Sequence, residues 1–234
     1  MYLRGVHVQV TGHARRAVVL VHGARGSSDS WRAVVPALSS RWQVITLDLP
    51  GHGMSLRPSS TPVLSAHAGL VHDVLDVLGV DRAAIVGYSM GACVAADFAV
   101  RYPQCTDRVV LIAPPAVLGP GTFEPAVLHD YFDRYADRGQ RFALGGTSRV
   151  RLREFPIACR SERALPYPVP TLTIPAPHGW RHVPATMVDP LVAFLEGPAV
   201  SPTVPPTVPS TVSPAVISSV AGPPSVPPVV ALPG

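Results

Sequence analysis

Residues 6–11 (Val6-His7-Val8-Gln9-Val10-Thr11) alternate apolar and polar positions with a period of two, the pattern of a half-exposed edge strand. Ala17-Val18-Val19-Leu20-Val21 is apolar throughout, as in a strand covered on both faces, and it stops at His22-Gly23. Residues 24–30 are small and polar, with Ser28 or Ser30 placed to cap a helix carrying Trp31, Val34, Val35 and Leu38 on one side. Val44-Ile45-Thr46-Leu47 reads as a second buried strand, closed by Asp48-Leu49-Pro50-Gly51-His52-Gly53. From Ser65 the apolar positions Leu70, Val71, Val74, Leu75 and Leu78 recur every three or four residues, which predicts a helix stopped by Gly79. Ala83-Ala84-Ile85-Val86 predicts a third buried strand, running into Gly87-Tyr88-Ser89-Met90-Gly91 and then a helix over Ala92 to Val100. Val109-Val110-Leu111-Ile112 is a fourth, ended by Pro114-Pro115. Strands apolar on both faces and alternating with helices imply an α/β fold, a three-layer sandwich around a mostly parallel sheet.

Past residue 116 the rhythm weakens. Phe123 to Phe142 reads as a helix with Leu128, Tyr131, Phe132 and Tyr135 on one side, stopped by Gly145-Gly146. Prolines at Pro156, Pro166, Pro168, Pro170, Pro175 and Pro177 leave no room for the helix that the preceding rhythm requires before a last strand starting at Thr171. A final helix is expected from Pro184 to Leu195, with Met187, Leu191, Phe194 and Leu195 at its spacing. The overall values of 47% hydrophobic and 15% charged residues average over two unlike parts, because every charged side chain lies in 1–196 while 197–234 holds none. Residues 1–196 are therefore expected to fold as one domain, with 116–155 as a short lid. Residues 197–234, rich in Pro, Val, Ser and Thr, form a tail expected to be disordered or polyproline II.

Composition also narrows the classes of function. The tail is apolar but broken by proline every few residues, so it offers no membrane span. The start, Met1-Tyr2-Leu3-Arg4-Gly5, lacks the pattern of a secretory signal, and a cytoplasmic location is the expectation. Cys93, Cys105 and Cys159 are odd in number and follow no metal-ligand spacing, which points to neither a disulfide framework nor a zinc site. The net charge of +4 comes from arginine alone, scattered over Arg15-Arg16, Arg25, Arg101, Arg108 and Arg149 to Arg153. A nucleic-acid partner would want those charges gathered on one face, so none is expected.

The chemistry concentrates in Gly87-Tyr88-Ser89-Met90-Gly91, a G-x-S-x-G motif standing between a buried strand and a helix. The sharp turn expected there exposes the Ser89 hydroxyl, its glycines let backbones pass close by, and the helix N-terminus points at the reacting centre. Together with His22-Gly23-Ala24 followed by Trp31, and Asp48-Leu49-Pro50-Gly51-His52-Gly53-Met54-Ser55, this motif resembles the α/β-hydrolase superfamily in order and spacing. The likeness covers residues 17–115 and lies with the esterase, C–C hydrolase and lactonase-like branch that carries a cap after the fourth strand. Serine at the elbow, rather than aspartate, sets the chain apart from haloalkane dehalogenases and epoxide hydrolases.

The resemblance implies a nucleophile at Ser89 and an oxyanion hole formed by the backbone N–H groups of Met90 and Ala24, the two donors acyl transfer needs about 3 Å from the tetrahedral oxygen. His22 and Gly23 would support that loop, and Asp48 and His52 would shape theirs without proton chemistry. A serine hydroxyl needs a base. The family's last strand ends in a stretch like I-P-x-x-G-H-W, and this chain has Ile174-Pro175-Ala176-Pro177-His178-Gly179-Trp180, with glycine and histidine transposed. His178 is the implied base and His182 the alternative. The acid is implied at Glu162, in Cys159-Arg160-Ser161-Glu162-Arg163-Ala164-Leu165-Pro166, with Asp189 a remote alternative. Only eight residues separate Glu162 from Thr171, fewer than the roughly dozen a parallel crossover takes. The expectation is a serine hydrolase acting on a small acyl substrate without metal or organic cofactor. C–C bond hydrolysis, acyl transfer, or a hydrolase-like binding protein with impaired catalysis stand as alternatives. Phe123, Tyr131, Phe132 and Tyr135 suggest either an apolar acyl or ring-bearing substrate, or core packing.

Overall fold

The computed structural model describes residues 1–59, 62–119, 122–143, 165–177 and 179–197, with 135–143 described as backbone alone. Strands β1 (Tyr2–Leu3) and β2 (Val6–Thr11) lead into β3 (Ala17–Val21), helix α1 (Val35–Leu38), β4 (Gln43–Leu47) and α2 (Leu64–Val77). There follow β5 (Ala83–Tyr88), α3 (Met90–Arg101), β6 (Thr106–Ile112), β7 (Thr122–Phe123), α4 (Pro125–Ala143), β8 (Leu165–Pro166), β9 (Thr171–Ile174) and α5 (Val188–Leu195). Seven strands form one sheet in the order β1-β2-β4-β3-β5-β6-β9, and β7 pairs separately with β8. All pairings from β4 across to β9 are parallel, while β1–β2 and β2–β4 are antiparallel.

The apolar runs explain the layering. Successive side chains of a strand face opposite ways. Val19, Val21, Ile45, Leu47, Ile85, Val109 and Leu111 fall on the face covered by α2, α3 and α4. Val18, Leu20, Val44, Val86, Val110 and Ile112 fall on the other, against Trp31, Leu38, Leu191 and Leu195. Each fully buried Val, Leu or Ile contributes about 1.5–3 kcal/mol, which favours covering both faces of this sheet over exposing either. Two of the scattered arginines anchor the second layer. Arg108, buried in β6, donates to the carbonyls of Phe194 and Gly197, and Arg16 donates to that of Leu195, so carbonyls at the end of α5 and just past it, which have no partner within the helix, are satisfied.

Several local expectations change, among them the final helix, which opens as a 3₁₀ turn, Ala185–Met187, before α5 starts at Val188. Strand β2 is not an alternating edge. Val6, His7 and Val8 are buried and Gln9, Val10 and Thr11 exposed, because β1 covers only its first two residues and the rest forms the sheet margin. The helix expected around Trp31 is split into a 3₁₀ turn, Ser28–Trp31, and the short α1. Pro36, without an N–H, fits the first turn of α1 but not the interior of a longer helix, and Ser27 rather than Ser28 or Ser30 stands at the N-cap of the 3₁₀ turn. Phe123 belongs to β7, where it stacks on Tyr167 at 4.8 Å, so α4 starts only at Pro125. Strand β9 pairs directly with β6, from Val109↔Thr171 to Ile112↔Ile174, and no described strand lies between them. Gly145-Gly146, Cys159 and the tail beyond Gly197 lie outside the described residues, as does the side chain of Tyr135.

Candidate active site

The chain places β4 on one side of β3 and β5 on the other. At such a switch point the loops leaving the two strands diverge and a crevice opens beyond their carboxyl ends. The β3 loop begins His22-Gly23-Ala24, and β5 ends at Tyr88 with Ser89 next. Val21 and Gly87 are register partners, so Gly23 and Ser89 both lie two residues beyond one rung. A methyl group built on Gly23 would meet Tyr88 Cδ1 at 3.0 Å and Ser89 Cβ at 3.3 Å, which puts the two loops in contact.

Ser89 has φ 52° and ψ −112°, a left-handed conformation that strains any residue with a Cβ. The surroundings hold it there: its N–H donates to the Ile112 carbonyl at 2.9 Å and its carbonyl accepts the Ala92 N–H at 2.9 Å. Both glycines of the motif are close-approach points. A methyl on Gly87 would lie 2.1 Å from the Gly91 carbonyl oxygen, and one on Gly91 would lie 2.2 Å from that of Val21. The Met90 N–H opens α3, where the first N–H groups have no acceptor within the helix and the dipole favours negative charge. Ala24 is the second residue of a turn closed by the Gly26 N–H on the Gly23 carbonyl at 3.1 Å. Among the described residues no side chain hydrogen-bonds the Ser89 hydroxyl.

The supporting loops are tied by buried polar groups. His22, fully buried, donates from Nδ1 to the Gly23 carbonyl at 2.7 Å and accepts the Leu49 N–H on Nε2 at 2.9 Å. Burial, reinforced by neighbouring His52, lowers its pKa to about 4, so the ring is neutral near pH 7 and both nitrogens are occupied. Asp48 accepts the Ser28 N–H at 2.6 Å and the Met54 N–H at 2.8 Å, and faces His7 Nδ1 at 3.2 Å. Burial pushes its carboxyl up, but the N–H donors outweigh this and hold it below the ordinary range. His52 packs 5.1 Å from the His22 ring, and burial lowers its pKa as well.

His67, on α2, is a buried histidine that the apolar spacing of its helix conceals: it stands four residues before Val71, on the same stripe. Its ring meets Phe132 of α4 edge-on at 5.4 Å, and its Nδ1 has no partner among the described residues. Burial foremost, then His52, lowers its pKa to about 4.

The implied base His178 and acid Glu162 lie outside the described residues, but the neighbours of His178 do not. Tyr88 accepts the Trp180 N–H on its hydroxyl at 2.9 Å and donates to the Pro177 carbonyl at 3.2 Å. His182 turns its Nδ1 toward the Asp29 carbonyl at 3.2 Å and carboxylate at 3.6 Å, and the Val183 N–H bonds the Ser30 carbonyl. Asp189 is exposed and lines a groove of about 420 Å³ with Ala37, Arg41 and Val192, away from the elbow. Phe123, Leu128 and Phe132 are buried in the core, and His129 of α4 bonds the buried Asp97 of α3 at 2.7 Å, fastening α4 to α3. Among the described residues no three His, Cys, Asp or Glu side chains group to hold a metal, and no helix is long and apolar enough to cross a membrane.

Residues 16–155 match the family model of the α/β-hydrolase fold. The chain is 40% identical over 97 residues to an uncharacterized protein of Mycobacterium tuberculosis, a match covering 42% of this chain and 28% of that one. It is 38% identical over 103 residues to the dihydrolipoyllysine-residue acetyltransferase component of the acetoin cleaving system of Cupriavidus necator, covering 44% and 28%. To the 2-hydroxy-6-oxo-6-phenylhexa-2,4-dienoate hydrolase of Burkholderia cepacia it is 34% identical over 129 residues, covering 51% and 43%. The chain thus spans less than half the length of each of these relatives. With a mostly parallel sheet whose switch point carries a strained serine between strand and helix, and a family match over more than half its length, the chain belongs to the α/β-hydrolase fold family.

Proposed function

We propose that the chain is a serine hydrolase that cleaves an ester, thioester or related acyl bond through an acyl-enzyme. The observation that carries this reading is Ser89 itself, a non-glycine residue held at φ 52° at the sheet's switch point, with Gly23 packed against it. Such strain persists where its surroundings over-determine it, and it clusters at active sites. In the proposed reaction Ser89 Oγ attacks the substrate carbonyl while His178 takes the hydroxyl proton and then gives it to the leaving group. Glu162 accepts the other ring N–H and fixes the tautomer. The N–H groups of Met90 and Ala24 receive the negative oxygen, each such donor typically worth about 10²–10³ in rate. Water, deprotonated by the same histidine, then releases the acid and frees Ser89.

His178 is favoured over His182 because its chain neighbours Pro177 and Trp180 are tied to the residue preceding the nucleophile, whereas His182 is engaged with Asp29. A second reading, hydrolysis of a C–C bond next to a carbonyl at the same site, is favoured by the similarity to the Burkholderia cepacia hydrolase. Hydrolysis of p-nitrophenyl acetate and butyrate tests the first. Activity should fall by at least about 10³-fold in Ser89→Ala and His178→Ala and persist in His182→Ala. A folded wild-type chain without turnover on these esters refutes the esterase reading, and loss in His182→Ala with activity retained in His178→Ala refutes the choice of base.

A further inference from the structure

Tyr88 fills the variable position before Ser89 and is only 4% exposed, yet its hydroxyl is bonded to a segment about 90 residues away in sequence. The two groups it bridges are the carbonyl of Pro177 and the N–H of Trp180, the first and fourth residues of a four-residue segment. A carbonyl at the first position and an N–H at the fourth are the pair that closes a β-turn. Here the phenol stands between them, accepting from one and donating to the other. Gly179 occupies the third position with φ 97°, the positive value a type II turn requires there. A methyl on Gly179 would meet nothing within 4 Å, so backbone angle rather than crowding calls for glycine. The Tyr88 ring also lies nearly parallel to the Trp180 indole, at 5.9 Å and 13°. In sequence, His178 follows Pro177 and so lies between the two groups that Tyr88 ties.

We infer that Tyr88 is a positioning residue, whose hydroxyl holds the two residues, Pro177 and Trp180, that flank the base in sequence. The inference rests on the proposed role of His178. It couples the residue before the nucleophile to the loop of the base through a single O–H, so one strand end sets both reacting groups.

Tyr88→Phe keeps the ring and its stacking and removes only the hydroxyl. In the intact chain, kcat for p-nitrophenyl butyrate should fall about 10–100-fold with KM within about twofold, since the nucleophile and substrate contacts stay while the base loses its alignment. The Trp180 amide should exchange with deuterium faster, while the amides of β5 and α3 stay protected. In a His178→Ala background the same substitution should cost nothing further, because it acts through the histidine. Gly179→Ala, which strains the turn without touching Tyr88, should lower kcat in the same sense. An active wild type whose Tyr88→Phe variant keeps its kcat, or loses as much again in the His178→Ala background, overturns the inference while leaving the hydrolase reading intact. A folded wild type without turnover overturns both.

Discussion

Gly91→Ala puts the packing at the elbow to a quantitative test. The added methyl would stand 2.2 Å from the Val21 carbonyl oxygen, 2.7 Å from that of His22 and 2.8 Å from the Val21 carbonyl carbon. All three are backbone atoms of β3 and the loop it feeds, and none can rotate aside. Restoring ordinary contact requires the start of α3 and the end of β3 to part by about 1 Å. Overpacking of this kind costs about 1–3 kcal/mol, and with backbone on both sides the upper end applies. The same displacement carries the Ala24 N–H away from the Met90 N–H across the proposed oxyanion hole, and a misplacement of about 1 Å is worth about 10²-fold in rate. Urea unfolding followed by circular dichroism should show a loss of about 2–3 kcal/mol, and kcat/KM for p-nitrophenyl butyrate should fall about 10²-fold. Gly69→Ala is the control: within α2, its methyl would lie 3.8 Å from the Tyr102 hydroxyl, ordinary contact, so exchanging glycine for alanine should stabilise by about 0.5–1 kcal/mol. A Gly91→Ala protein with the unfolding midpoint and rate of the wild type would refute the reasoning.

Two further outcomes follow from strain and burial. At most positions glycine is less stable than alanine, but at residue 89 the order should reverse: Ser89→Gly should unfold at higher urea than Ser89→Ala, by about 1 kcal/mol, because only the glycine relieves φ 52°. His22 and His67 have folded pKa values of about 4 against an ordinary 6.5, so below pH 6.5 the unfolded chain takes up protons that the folded chain refuses. Stability should therefore fall as pH drops from about 6.5 to 4, by roughly 3 kcal/mol for each group. His67→Leu, which gives up no hydrogen bond seen among the described residues, should flatten this acid decline in urea midpoints measured at pH 5 and pH 7. An unchanged slope would contradict the burial assigned to His67.

What the sequence made legible was what local pattern encodes. Strands β3, β4, β5 and β6 announce themselves because burial on both faces demands unbroken apolar runs, and the elbow because its glycines are forced by backbones 2–3 Å from any added methyl. The interruption of the helix after Trp31 was also written in the chain, at Pro36, but the apolar spacing of Val34, Val35 and Leu38 continues across it and masks the break. The position of β9 beside β6 was not legible, since a strand's neighbours depend on pairing between distant segments rather than on its own periodicity. The hydroxyl of Tyr88 shares that cause: its partners Pro177 and Trp180 meet it only through the ladder that joins β5, β6 and β9. His67 was hidden differently, by lying on an apolar stripe where a histidine reads as one polar exception.

The central claim is that Ser89 is an activated nucleophile, and the direct measurement is the mass of the intact chain after incubation with a fluorophosphonate near neutral pH, followed by peptide mapping. The account predicts one phosphonyl adduct per chain, with fluoride as the leaving group, on the peptide containing Ser89, absent in Ser89→Ala and formed much more slowly in His178→Ala. A folded chain that stays unmodified, or one that carries the adduct on another residue, would contradict it.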